Sequence, residues 1–272
     1  LGERYPAEDL AQFKHLHVWE RDRTLPGDQE FEPGVSVLAE EVGGMLAKYQ
    51  PTELELALNQ DAVADDRVLD CVIVEPGEWW FGWHRVTLLP SQWVGGVPDV
   101  EMPDTVVSRT YLKMKEALVW SELPIAKGDS IVEIGSAPGG SCQALLELGL
   151  SVTGVDPADM DPALLADPHF RHMKARAKDL QKKLFSEFRW LAADATVTPK
   201  YTLDTVEPIV QHRFSKIEGL ILTLKLTDWH LASQIRDFHK RIRSWGFPSV
   251  RSRQLAFNRR EICVVAAGRE VE

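Results

Sequence analysis

The sequence predicts an α/β protein, a mostly parallel sheet with helices on both faces, preceded by a small α+β unit. Three observations carry this prediction. From Ser108 onward, helical and extended patterns alternate along the chain, as they do when parallel strands are joined by helical crossovers. The hydrophobic run "SIVEIG" stops at a loop of Gly, Ser, Ala and Pro before a helix-like stretch, where an open α/β sheet receives its ligand. Charge divides the chain as well. Residues 1–105 hold 7 Lys+Arg against 21 Asp+Glu, net −14, and residues 106–272 hold 24 against 20, net +4, within a chain of −10. The predicted organisation is therefore a small α+β domain with its linker over residues 1–105 and the α/β domain over residues 106–272.

Taken in order, "HLHVWE" predicts a strand, "GVSVLAEEVGGMLAKY" a helix, and "RVLDCVIVEPGEWWFGWHRVTL" two strands turning at Pro76-Gly77. The aromatic run Trp79, Trp80, Phe81 and Trp83 suits core packing or a base-stacking platform. The stretch "LLPSQWVGGVPDVEMPDTVV" has no clean period and three prolines, which marks a linker. A helix is expected from about Thr110 to Leu123, then strand "SIVEIG", helix "GSCQALLELG", strand "SVTGVDP", helix "PALLAD" and strand "FRHMKA". A helix "KDLQKKLFSEF", strands "RWLAAD" and "GLILTLKL", a long helix "DWHLASQIRDFHKRIRSWG" and a closing antiparallel pair, "SVRSRQLA" and "EICVVAAG", complete the pattern.

Composition narrows the function classes. A hydrophobic fraction of 44% and a charged fraction of 26% are ordinary for a globular protein. No apolar run approaches the roughly 20 residues of a membrane span, so no membrane partner is expected. Cys71, Cys142 and Cys263 are odd in number and widely spaced, against a disulfide framework or a zinc site, and imply a reduced, cytoplasmic setting. The chain opens on Leu1 rather than Met, as a piece of a longer protein would. The C-terminal part carries Arg236, Lys240, Arg241, Arg243, Arg251, Arg253, Arg259 and Arg260, either a solvated face or a phosphate-contacting patch.

The loop Gly135-Ser136-Ala137-Pro138-Gly139-Gly140-Ser141 fits neither the G-x-G-x-x-G of dinucleotide sites nor a P-loop, since no Lys follows its last Gly. S-adenosyl-L-methionine suits it better. Its methionine end would lie against this loop, and its ribose hydroxyls would meet Asp156, which ends "VTGVD" 23 residues beyond Glu133. The competing reading of Asp156 is a cap for the helix that follows.

"SAPGG" followed by a helix resembles the loop of the FtsJ-like ribose 2′-O-methyltransferases, and "VSRTYLKMKEAL" resembles the segment that precedes it in that family. The resemblance is closest to the RlmM-type enzymes, which methylate a cytidine ribose of 23S ribosomal RNA. It extends from about Trp79 to Gly268 and includes "FGWHRVTLLPSQWVGGVPDVEMP", "LTLKLTD" and "RQLAFNRREICVV". It implies a Rossmann-like, S-adenosylmethionine-dependent methyltransferase acting on RNA, either 23S ribosomal RNA or a large-subunit precursor, with a THUMP-like role in RNA selection for the front unit. It also implies a Lys-Asp-Lys-Glu catalytic tetrad of Lys113, Asp194, Lys225 and Glu261, and cofactor contacts from Thr110, Gly135, Ser136, Ala137, Pro138, Gly139, Gly140, Asp156 and Asp194.

The chemistry suits these residues. The sulfonium methyl is already activated, so the enzyme has to hold a ribose hydroxyl in line and remove its proton. Lys225, flanked by Leu224 and Leu226, is the candidate base, Asp194 would orient it, Lys113 and Glu261 would hold the hydroxyl, and no metal is needed. One departure stands out: Ala175 and Arg176 occupy the place where relatives carry an acid for the adenine amino group, with Asp179 a nearby substitute. The rival readings are a non-catalytic RNA-binding relative and a small-molecule methyltransferase.

Overall fold

The computed structural model describes residues 12–49 and 55–269. Two compact units divide the chain, residues 1–99 and residues 100–272.

The first unit is a four-stranded sheet with one helix. Strands β1 (Phe13–Glu20), β2 (Ala57–Leu58), β3 (Arg67–Glu75) and β4 (Glu78–Arg85) form a sheet in the order β2-β1-β3-β4. The strand β1 runs parallel to β2 and β3, and β3 and β4 form the antiparallel hairpin expected at Pro76-Gly77. Helix α1 (Val37–Lys48) is capped by Ser36, whose hydroxyl accepts the Ala39 N–H. Its Ala39 and Val42 pack on Leu16, Val18, Leu69, Cys71 and Ile73 of the sheet. Trp79 joins this core, whereas Trp80, Phe81 and Trp83 on the edge strand are 52%, 46% and 46% exposed. The first half of the expected linker belongs to this unit, because Trp93 and Val94 are buried and the Ala62 N–H is bonded to the Gln92 carbonyl.

The second unit is built on a seven-stranded sheet. Its parallel strands are β5 (Ser130–Ile134), β6 (Ser151–Val155), β7 (Phe170–Met173), β8 (Trp190–Ala193) and β9 (Gly219–Lys225). Strands β10 (Ser249–Arg253) and β11 (Glu261–Ala267) complete the order β10-β11-β9-β8-β5-β6-β7. The strand β11 lies antiparallel between β9 and β10, with Glu261 opposite Lys225 in register. One face of the sheet is covered by α2 (Thr110–Ser121) and α3 (Gly140–Glu147), which bury Leu112, Trp120, Ala144 and Leu145. Short α4 (Pro162–Leu165) precedes β7. On the other face, Val132, Ile134, Leu191 and Leu222 pack against Leu203, Val206, Phe238 and Ile242.

Three local expectations are corrected. The "KDLQKKLFSEF" helix is absent; two 3₁₀ turns, Ala177–Asp179 and Lys182–Phe185, stand in its place. Lys182 Nζ donates to the carbonyls of Ala177, Lys178 and Leu180, and Phe185 at the end of the second turn and Phe188 just beyond it reach the core, so tertiary packing overrides the helical period. A helix not foreseen from the pattern, α5 (Pro199–Val210), follows β8. Its start is marked by Thr198, whose hydroxyl accepts the Tyr201 N–H, and by Pro199 at the first position. The expected long helix divides at Gln234 into α6 (His230–Ser233) and α7 (Ile235–Arg243).

Candidate active site

The carboxyl ends of the five parallel strands share one edge of the sheet, and ligands of open α/β sheets bind there. The antiparallel placement of β11 brings the start of that strand, and the 254–260 loop before it, to the same edge.

After β5 the chain turns through Gly135, whose φ of +80° favours glycine; a Cβ there would meet the Ala195 backbone at 2.8 Å. At Gly139, φ is +124° and a Cβ would strike Leu164. At Gly140 it would meet Ser108 Oγ at 2.3 Å and Thr110 Oγ1 at 2.6 Å. The loop is thus packed from both sides. The Ser141 N–H donates to Thr110 Oγ1 at 3.1 Å, the Asp161 N–H donates to the Pro138 carbonyl at 2.9 Å, and the Ser136 hydroxyl turns to Met160 Sδ at 3.6 Å. The Ala137–Pro138 bond is cis.

Beside this loop lies a cleft enclosing about 740 Å³ of empty space, part of it open to solvent. Gly135, Asp156, Ala175, Arg176, Ala193 and Ala195 are among its lining residues. The cap reading of Asp156 is corrected: the helix that follows starts at Pro162, and its cap is Asp161, whose Oδ1 accepts the Ala163 N–H. Asp156 Oδ1 accepts the Ala158 N–H at 2.8 Å in a local turn, its Oδ2 accepts the Ala137 N–H at 3.3 Å, and the residue stands in the cleft wall. Ser136 to Gly140 and Thr110 are not part of that lining; they shape and brace the loop. Arg176 lines the cleft, whereas Asp179, the acid considered as its substitute, does not. The cleft fits S-adenosylmethionine on its own evidence: a glycine turn too tight for any side chain, a carboxylate fixed at the end of β6, and walls that include the small side chains of Ala175, Ala193 and Ala195.

At the same edge, four charged side chains from α2, the end of β8, β9 and β11 close a ring. Lys113 Nζ donates to Asp194 Oδ2 at 2.7 Å and to Glu261 Oε1 at 2.9 Å. Lys225 Nζ lies 2.9 Å from Asp194 Oδ1 and 3.5 Å from Glu261 Oε1. Charges alternate around the ring, so each buried ion faces two of opposite sign, the condition under which burial is tolerated. Burial alone would lower the pKa of Lys113, but the carboxylates of Asp194 and Glu261 more than offset it and hold that pKa above the usual lysine value. Burial likewise pushes Asp194 up, and Lys113 and Lys225 outweigh it, leaving this carboxyl below its ordinary range. The ring touches the cleft through Asp194, since Ala193 and Ala195 on either side of it line the wall. All four residues singled out in the sequence are therefore brought together.

Two buried carboxylates escaped the sequence reading as parts of this site. Glu116, one helical turn beyond Lys113, is 0% exposed and accepts the N–H groups of Ala256 and Phe257 at 2.8 and 3.0 Å. It anchors the loop that delivers Glu261, and its spacing of three from Lys113 on a helix was the available signal. Glu133 lies under the loop, accepts the Cys142 thiol at 2.9 Å, and is pushed up to about 8 by burial.

The expected basic patch divides. Arg241 pairs with Asp204 and Glu207, and Lys240 pairs with Asp237. Arg251 donates to the Ser121 carbonyl and stacks over Trp120, while Arg253 is partly buried with Glu116 as its charge partner. Helix α7 connects β9 to β10, which run in the same direction, so Arg243 at its end lies toward the opposite edge of the sheet. Arg259 and Arg260, both exposed beside Glu261, stay at the site edge.

The model of the FtsJ-like methyltransferase family matches residues 106–233. A ribosomal RNA large subunit methyltransferase M from Halorhodospira halophila is 30% identical over 178 residues, which is 64% of this chain and 51% of that protein. The protein of the same name from Alkalilimnicola ehrlichii is 30% identical over 171 residues, 58% of this chain and 46% of its own. The chain spans about half the length of these curated relatives. A solved structure described as a "putative hemolysin" from Lactococcus lactis shares the fold at TM-score 0.50 and 19% identity, covering 61% of this chain and 89% of that one. With its sheet order, its glycine loop and this match, the segment 106–233 belongs to the FtsJ-like methyltransferase family, whose cofactor is S-adenosyl-L-methionine.

Proposed function

We propose that this protein transfers a methyl group to a ribose 2′-hydroxyl of RNA, a cytidine of 23S ribosomal RNA or of a large-subunit precursor, in the cytoplasm. The observation that carries the reading is the alternating ring of Lys113, Asp194, Lys225 and Glu261 beside the cleft.

The cofactor supplies an electrophilic methyl group. Gly135, kept in place by the braced 136–140 loop, and Asp156 would hold it, with Asp194 between the Ala193 and Ala195 walls. Lys113, kept cationic by its two carboxylates, holds the ribose oxygen as charge develops on it. Lys225 makes the longer contacts of the two lysines and is the more exposed, 18% against 10%, which suits the group that must exchange protons. Once it has released its own proton, its amine accepts the hydroxyl proton, and Asp194 and Glu261 again face the ammonium that results. Exposed Trp80, Phe81 and Trp83 support a stacking role for the first unit in RNA selection, since its acidity disfavours phosphate contacts.

The test is a map of ribose methylation in large-subunit ribosomal RNA from cells with and without this protein. Loss of one 2′-O-methyl group, restored by the wild-type chain and not by Lys225→Met, is expected. An unchanged map would turn the reading toward a non-catalytic relative.

A further inference from the structure

The loop after the candidate base presents an aromatic ring that neither the ring of charges nor the cofactor cleft uses. Trp229 is 85% exposed, the most exposed large apolar side chain among the described residues of the second unit, where Met102 follows at 57%. Exposure alone means little, since single apolar residues are common on surfaces. Its position is the argument. The Leu226 N–H donates to the Arg260 carbonyl at 2.7 Å, which clamps the exit of β9 to the entry of β11. Trp229 lies three residues beyond Leu226, so the two Cα atoms are at most about 11 Å apart.

The segment that bears Trp229 is a defined turn. Asp228 Oδ1 accepts the His230 N–H at 2.8 Å, its carbonyl accepts the Leu231 N–H at 3.0 Å, and the Trp229 carbonyl accepts the Ala232 N–H at 3.1 Å. The carboxylate of Asp228 is thereby tied to the backbone. Arg259 and Arg260 stand exposed on the facing strand entry, in a region of net +4 within a chain of −10. Along the chain, Trp229 follows Lys225 by four residues, and Arg259 and Arg260 immediately precede Glu261. That combination matches single-stranded nucleic acid, whose bases stack on aromatic rings and whose phosphates pair with Arg.

We infer that Trp229 forms a nucleobase-stacking subsite at the mouth of the charged ring, with Arg259 and Arg260 taking the flanking phosphates. The inference rests on the reading of the ring as the site of RNA ribose methylation. An unstacked base held on Trp229 fixes the position of its own ribose or of the next one, and delivers a 2′-hydroxyl toward Lys225.

The experiment measures binding of a fluorescent oligocytidylate RNA and of an abasic ribose-phosphate oligomer of the same length. Wild type, Trp229→Ala and Trp229→Phe are compared at fixed salt, with methyl transfer to transcribed large-subunit ribosomal RNA measured alongside. Wild type should prefer the base-bearing RNA. Trp229→Ala should lose about 5- to 150-fold of that affinity, the range stacking supplies, with little change for the abasic oligomer. Trp229→Phe should recover most of the loss. Oligocytidylate binding by Trp229→Ala equal to wild type overturns the subsite, and so does an equal loss for both oligomers; wild-type methyl transfer then shows that the reaction reading survives. Failure of wild type to bind or methylate any RNA removes both readings together.

Discussion

Replacing Lys225 with methionine removes one amine from the ring and keeps a side chain of similar length, and the same change at Lys113 has a different consequence. Lys113 bridges both carboxylates at 2.7 and 2.9 Å with its side chain 10% exposed. Without it, Asp194 and Glu261, 7% and 9% exposed, share a single amine that approaches Glu261 only to 3.5 Å. Breaking a buried ion pair from one side costs about 3–5 kcal/mol, so Lys113→Met should lose both stability and activity. Lys225 is 18% exposed, and its removal leaves both carboxylates on Lys113, so the loss of stability should be smaller than for Lys113→Met. Its effect on rate should be far larger, about 10²- to 10⁴-fold, as for a lost general base. Lys225→Arg should fail as well, because a guanidinium stays protonated.

The assay is single-turnover methyl transfer to large-subunit ribosomal RNA, with urea unfolding and cofactor titration of the same samples. Cofactor affinity of Lys225→Met should match wild type. A Lys225→Met protein that methylates at the wild-type rate would remove Lys225 from the mechanism. A Lys113→Met protein as stable as wild type would show that the ring is not the buried ion cluster described. The pH window follows from the directions of the two shifted groups. Lys113, raised, contributes its stability below the unfolded value of 10.5 and loses it as pH climbs through the higher folded value. Asp194, lowered, contributes above 3.8 and loses it as pH falls through the lower folded value. The ring should therefore hold across the whole range between.

Asp156→Ala should weaken S-adenosylmethionine binding by about 1–3 kcal/mol in calorimetric titration, the cost of hydrogen bonds left unmade in a partly closed site; unchanged affinity would assign Asp156 to bracing the Ala137 and Ala158 backbone alone. Glu133, pushed up to about 8 by burial, keeps its proton in the folded state, whereas the unfolded chain loses it near 4.5. Stability should thus fall as pH rises between those values, by at most about 1.4 kcal/mol per pH unit. Urea unfolding of Glu133→Gln should show that slope removed; the same slope in the variant would place its origin elsewhere.

Alternation of period along residues 108–272 made the parallel sheet legible, because each strand and helix carries its buried face in its own spacing. The turn at Gly135, the acid ending β6 and a lysine inside an apolar strand could also be read locally, since each is an anomaly within its own segment. Local spacing misled where packing outweighed it: at residues 178–188 a helical period yields two short turns, and at Arg251 and Arg253 cations that look free on paper serve Ser121, Trp120 and Glu116. The resemblance named the four residues of the ring, but only the tertiary structure decided their distances. Lys113 and Glu261 are 148 positions apart and meet at 2.9 Å because β11 inserts antiparallel beside β9 and Glu116 pins the loop before it. Strand pairing over such separations is settled by the burial of whole faces against one another, a property of the assembled sheet that no single segment encodes.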